Sequence, residues 1–274
     1  MPTTGAHRST DDAGRSEKVL VRRDGPILLI TVNRPEKANA FDAEVIAGLS
    51  TAYATLSDDP DLRVGVVHAE GRHFTGGLDL VSLAPRLAAG DTTIIPEGGR
   101  DPWGIWGEPA TKPVVVAVHG RCFTAGLELV LNADLCVAAD DAVFAQQEVS
   151  RGIIALGGAT RRLPQRLGWG QAMRYLLTGD QFDAADALRL GLVQDVVPAG
   201  RQLQRAVALA RRIAEQAPLA VQATLADARA AFAEPSAESA ERLREAGRRL
   251  LASGDAREGI SALIERRAPV FTGA

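Results

Sequence analysis

Two glycine-containing stretches carry the first chemical signal in this sequence. One is Gly71-Arg72-His73-Phe74-Thr75-Gly76-Gly77-Leu78-Asp79-Leu80, and the other is Thr124-Ala125-Gly126 ahead of Leu127-Glu128-Leu129. Glycine lets a backbone approach a ligand closely. Gly76-Gly77 permits that approach at Leu78. Thr124-Ala125-Gly126 permits it at Ala125, where a helix begins and its positive end adds to the field. Other chemistries lack their signatures. No GxGxxG follows the first strand, and the sequence has no GxxxxGK[ST], GxSxG or HExxH. Hydride transfer, nucleotide hydrolysis and serine hydrolysis lose their usual marks. The histidines His7, His68, His73 and His119 are scattered, and each reads as structural or surface. Cys122 and Cys136 form neither a CxxC pair nor a zinc spacing, so no metal is expected. They read as small buried residues of a reducing cytosol.

The elements around these loops alternate. Val19–Arg23 and Ile27–Val32 flank Asp24-Gly25-Pro26 and read as a hairpin. Asp42 caps a helix from about Ala43 to Leu56. Arg63–Ala69, Val114–Val118, Leu135–Ala139, Ala142–Ala145 and Val193–Val197 read as strands, with Arg121–Gly126 as a turn. Leu127–Asn132, a stretch through Leu167, Gly170–Leu177 and Ala184–Leu190 read as helices. Ala84–Pro109, with four prolines and both Trp103 and Trp106, reads as one long loop. From Gln202 the pattern is helical: Gln202–Glu215, Pro218–Phe232, Ala237–Leu251 and Ala256–Arg266. The class is α/β.

The divisions expected are a disordered tail over 1–16, a core carrying the site over 17–198 and a helical region over 199–274. The chain has 274 residues, 46% hydrophobic and 24% charged, as in ordinary globular proteins. Its net charge of -3 and 4% aromatics argue against a nucleic-acid partner. The N-terminus lacks a signal-peptide pattern, and no apolar run approaches a membrane span. A cytoplasmic location is expected.

Three segments together are far more specific than any one. Asn33-Arg34-Pro35-Glu36-Lys37-Ala38-Asn39-Ala40-Phe41 is the first, and the Gly71–Leu80 loop is the second. The third is Lys112-Pro113-Val114-Val115-Val116-Ala117-Val118-His119-Gly120, leading to Ala125–Leu129 and Asn132-Ala133-Asp134. In their order and spacing, over about residues 18–271, the chain resembles the crotonase (enoyl-CoA hydratase/isomerase) family. Leu177-Thr178-Gly179-Asp180 and Ala184 through Gly191-Leu192-Val193 extend the resemblance.

The resemblance implies a spiral of repeated ββα units with a helical C-terminal region, assembled as a homotrimer or dimer of trimers. It implies an oxyanion hole made by the amides of Leu78 and Ala125 for a thioester enolate. It implies that Glu128 and Glu148, twenty positions apart, grip and activate water, since hydration of a conjugated double bond needs groups that hold water and move a proton. Two such carboxyls would perturb each other and share a proton. Coenzyme A is implied as part of the substrate, not as a resident cofactor. Lys37 and Ala38 would line its pantetheine or phosphate path, and Gly76, Asp79 and Leu80 would lie near the adenine.

The implied activity is syn hydration of a 2-trans-enoyl-CoA to a 3-hydroxyacyl-CoA. The alternatives are double-bond isomerisation, dehydration of a specialised acyl-CoA, and a non-catalytic acyl-CoA-binding protein. Four residues depart from the family pattern. His119 replaces an asparagine, Thr124 interrupts a glycine run, and Ala155-Leu156 fall where a Pro-Gly pair is usual. Leu156 is expected beside the glutamates, where it would narrow the pocket or displace the water. Trp103 and Trp106 would either wall the acyl pocket or fill a hydrophobic gap.

Overall fold

The computed structural model describes residues 18–88, 95–233 and 253–274. The tail, His7 and the helix expected over 237–251 lie outside these. The hairpin forms as β1 (Val19–Asp24) and β2 (Ile27–Val32), turning at Gly25 with φ +57°. A run of parallel pairings then adds β3 (Val64–Ala69), β4 (Val114–Val118), β6 (Leu135–Ala139) and β9 (Asp195–Val197). The six-stranded order is β1-β2-β3-β4-β6-β9. A second sheet joins β5 (Arg121–Phe123), β7 (Val143–Ala145) and β8 (Gln181–Asp183).

Both faces of the large sheet are covered, so its strands are apolar throughout rather than alternating. Ile27, Leu29, Val64, Val66, Val115, Ala117 and Val137 face α7 (Gln202–Ala214). That helix presents Ala206, Ala210 and Ala214, one turn apart, and their small side chains admit close packing. Leu28, Ile30, Val32, Val116 and Val118 belong to the other core. It is shared with α1 (Ala43–Asp58) and α3 (Ala125–Asn132). Asp42 Oδ1 accepts from the Val45 amide at 3.0 Å and caps α1, as its sequence position suggested.

The remaining helices are α2 (Leu80–Ala88), α4 (Ala159–Leu167), α5 (Trp169–Thr178), α6 (Ala184–Arg189), α8 (Pro218–Ala233) and α9 (Gly254–Glu265). Two local expectations are corrected. The Arg121–Gly126 turn contains β5 and the first residues of α3, because Arg121–Phe123 pairs in parallel with β7. The Ala84–Pro109 loop begins inside α2, which continues through Pro85. Tolerance of that proline fits the exposed Val81, whose carbonyl has lost its i+4 donor and can turn to water.

Candidate active site

The Leu78 amide is aimed by a single parallel bridge. The Phe41 amide donates to the Gly77 carbonyl at 2.8 Å, and the Asp79 amide to the Phe41 carbonyl at 3.0 Å. Leu78, between them, therefore turns its own N–H to the opposite side. Ala125 is the first residue of α3, where helix N–H groups have no intrahelical acceptor. Neither amide donates to an acceptor among the described residues.

Two threonines interlock the loops that carry these amides. A Cβ on Gly126 would collide with the Thr75 methyl, and a Cβ on Gly77 would collide with Thr124 Oγ1. Each glycine is needed so that the opposite loop can lie against it. Thr75 Oγ1 donates to the Asn39 carbonyl at 2.7 Å and accepts the Gly77 amide at 3.0 Å. The strands continue the contact through a Thr75–Cys122 bridge.

Glu128 lies one turn into α3 and is 3% exposed. Its Oε1 accepts the Ala159 amide at 3.1 Å. Gly157 packs so closely that a Cβ there would stand 2.6 Å from Glu128 Oε2. Burial is the main cause that pushes the Glu128 carboxyl up from 4.5 to about 7. The nearby charge of Glu148 adds to the rise, while the Ala159 and Gly157 amides and Arg162 oppose it. Glu148 begins a 3-10 turn, Glu148–Arg151, and is also buried. Its Oε1 accepts from Gln146 Nε2 at 2.9 Å, and its Oε2 is shut from solvent without a partner among the described residues. Burial raises its pKa too. The fold thus brings both sequence-identified glutamates into electrostatic reach of each other.

A folded-state pKa raised above the unfolded one stabilises only below it. The contribution is complete below about pH 4.5 and is lost as the pH rises through about 7. Glu128→Gln is therefore expected to melt above wild type at pH 8, by on the order of 2–3 kcal/mol, with the gap closing towards pH 5. Thermal unfolding at the two pH values measures it.

Sequence reasoning missed the group that holds the long loop here. Asp101 is fully buried, and its Oδ1 accepts the Trp103 amide at 2.8 Å. Its Oδ2 accepts the amides of Ile105, Trp106 and Gly107 at 2.7, 2.6 and 3.1 Å. Trp103 is buried, and its indole donates to the Ala125 carbonyl at 2.8 Å. Trp103 packs in the hydrophobic core edge-on to Phe41, in keeping with the gap-filling alternative, and its indole also ties the loop to Ala125. Arg162 donates to the carbonyls of Trp103 and Gly104 at 2.6 and 3.1 Å. The Asp-Pro-x-Gly run at Asp101–Gly104 was the available turn signal. Arg162 had none.

The other expected residues fall as follows. Ala38, with φ +51°, accepts the Gly76 amide at 2.8 Å, so these two are neighbours. Lys37 is exposed and makes no ion pair among the described residues. Lys112 instead buries its ammonium against the Asp59 carbonyl, and Lys18 pairs with Asp42 and Glu44. Asp79 accepts the Ser82 amide at 3.1 Å and pairs with Arg34 at 2.8 Å, so its carboxylate is committed within the protein. Both partners hold its pKa below the usual value. Leu80 opens α2.

Leu156 is 55% exposed, and its neighbour Gly157 is the residue packed against the Glu128 carboxyl. His68, His73 and His119 are engaged with Thr31, the Arg121 amide and the Gly71 carbonyl, which suits structural parts. Among the described residues, no cluster of three metal-ligating side chains is found, and no helix is long and apolar enough to cross a membrane.

The model of the enoyl-CoA hydratase/isomerase family matches residues 22–274. The chain belongs to the enoyl-CoA hydratase/isomerase family. A probable enoyl-CoA hydratase of Mycobacterium bovis, echA8, is 34% identical over 258 residues, covering 93% of this chain and 98% of its own. A carnitinyl-CoA dehydratase of Salmonella typhi is 36% identical over 267 residues, covering 94% and 99%. Among solved structures, a probable enoyl-CoA hydratase/isomerase from Mycobacterium abscessus superposes with a TM-score of 0.91 at 46% identity, covering 94% and 99%. An enoyl-CoA hydratase from Mycobacterium tuberculosis gives 0.86 at 38%, covering 94% and 100%. The fold is therefore the crotonase-type α/β fold that the sequence segments implied.

Proposed function

We propose that this enzyme adds water in syn fashion to a 2-trans-enoyl-CoA, giving a 3-hydroxyacyl-CoA. The observation that carries this reading is the pair of buried carboxyls, Glu128 and Glu148, both raised by burial, with the charge of Glu148 a further cause at Glu128 and with Glu148 Oε2 unpartnered among the described residues. Adding H and OH requires one group that gives a proton and one that takes a proton, and two buried carboxyls in electrostatic reach of each other can divide these roles. Glu128 as carboxylate orients water and takes its proton while the oxygen bonds to C3. Glu148 gives its proton to C2. Electron density passes to the thioester oxygen, where the Leu78 and Ala125 amides stabilise it, and returns as C2 is protonated. Transfer of the water-derived proton from Glu128 to Glu148 restores the starting state.

Lys37, Ala38, Gly76 and Leu80 would line the coenzyme A path, with Lys37 as a phosphate contact and Asp79 contributing backbone only. Lys37→Ala is expected to raise KM about two- to fivefold with kcat unchanged, as suits one exposed cation. Steady-state kinetics measure it. The half-exposed Trp106 and Leu156 are candidates for contact with the acyl chain. The helical region is proposed to build a homotrimer or dimer of trimers, in the cytoplasm.

The carnitinyl-CoA dehydratase relative favours one second reading, dehydration of a substituted 3-hydroxyacyl-CoA by the same groups run in reverse. A panel of enoyl- and hydroxyacyl-CoA thioesters, followed by the absorbance of the conjugated thioester and by product mass, tests both. Turnover of none of them by wild type would refute the proposal.

A further inference from the structure

Thr124 adopts a backbone conformation that a β-branched residue seldom takes. Its φ is 48° and its ψ is −115°, where a Cβ is costly and glycine is at ease. What threonine adds in return is a hydroxyl aimed at the opposite loop, resting on the α-carbon of Gly77. Gly77 precedes Leu78, and Thr124 precedes Ala125. Standard bond lengths therefore hold this oxygen within about 6 Å of both amide nitrogens.

Its counterpart makes the contrast. Thr75 Oγ1 is satisfied by the Asn39 carbonyl and the Gly77 amide. Thr124 is only partly buried, and its hydroxyl makes no cap bond to α3 and has no hydrogen-bond partner among the described residues. A hydroxyl is a rotor that can donate to whatever oxygen arrives.

We propose that the Thr124 hydroxyl is a third donor of the oxyanion hole, delivered to the thioester oxygen beside the amides of Leu78 and Ala125. The inference rests on the proposed function in needing a thioester at this place. No proton is transferred; the hydroxyl donates a hydrogen bond that strengthens as the oxygen gains charge.

Three variants separate the hydroxyl from the shape of the side chain. Thr124→Val keeps the β-branch and loses the donor, Thr124→Ser keeps the donor, and Thr124→Gly removes both and relieves the backbone. Two readouts are taken: kcat and KM with a 2-trans-enoyl-CoA, and the near-ultraviolet enolate band of bound acetoacetyl-CoA. Thr124→Val is expected to lower kcat about tenfold, below the 10²–10³ of a principal donor, and to weaken the enolate band with KM little changed. Thr124→Ser should restore both. Thr124→Gly should melt no lower than wild type yet share the loss of kcat, which keeps the test decisive should the valine variant fold poorly. Wild-type values in Thr124→Val or Thr124→Gly would overturn the inference, as would equal losses in Thr124→Val and Thr124→Ser. A wild-type enzyme that forms the bound enolate but hydrates nothing would sink the hydratase reading alone. The enolate bands of the variants would then still decide on Thr124.

Discussion

Glu148→Gln is expected to lower kcat for enoyl-CoA hydration by about 10³-fold or more, with KM changed far less. The amide keeps the size of the side chain and can still accept from Gln146, whose Nε2 donates to Glu148 Oε1. What it cannot do is give a proton to C2. Among the described residues, Glu148 Oε2 is shut from solvent without a partner, and no other group there stands ready to replace it. Glu128→Gln is expected to fall comparably for a different reason, because water is then held but not deprotonated. The acid limb of kcat/KM, which reports the free enzyme, should centre near pH 7 in wild type, where Glu128 titrates. The double variant should be little worse than either single one, since the two carboxyls serve one proton cycle. Stopped-flow or steady-state absorbance assays across pH measure all of this.

Asp101→Ala is expected to cost about 3–5 kcal/mol of stability, the largest loss outside the hydrophobic core. Four backbone N–H groups, those of Trp103, Ile105, Trp106 and Gly107, would lose their acceptor together. Asp101→Asn is expected to lose much of the same, because its NH₂ must face either one donor or three. The effect should reach the chemistry. Trp103 donates to the carbonyl of Ala125, so a loosened loop releases the residue whose amide is proposed for the oxyanion hole. The fraction still folded should show kcat lowered about tenfold. Thermal melts and assays at low temperature separate the two losses.

Residue types with fixed local consequences were legible in the sequence. The hairpin at Gly25, the cap at Asp42 and the all-apolar strands could be placed from pattern alone. The glutamates and oxyanion residues came through resemblance, because nothing local links position 128 to position 148; only the spiral does. Asp101 stayed hidden because its four partners form a loop without periodicity. Arg162 stayed hidden because an arginine on a helix usually meets water, whereas this one meets carbonyls. The exposure of Leu156 was not legible because it follows from the turn at Gly157-Gly158, where Gly158 takes φ +104°. That turn sends the glycine toward Glu128 and leaves the leucine more than half exposed.

The most direct measurement is the mass of the product formed from a 2-trans-enoyl-CoA in ¹⁸O-labelled water. The account predicts a 3-hydroxyacyl-CoA carrying one ¹⁸O at C3, formed by wild type and suppressed in Glu128→Gln and Glu148→Gln. An unlabelled isomer with a shifted double bond would contradict it, as would labelled product formed at the wild-type rate by either glutamate variant.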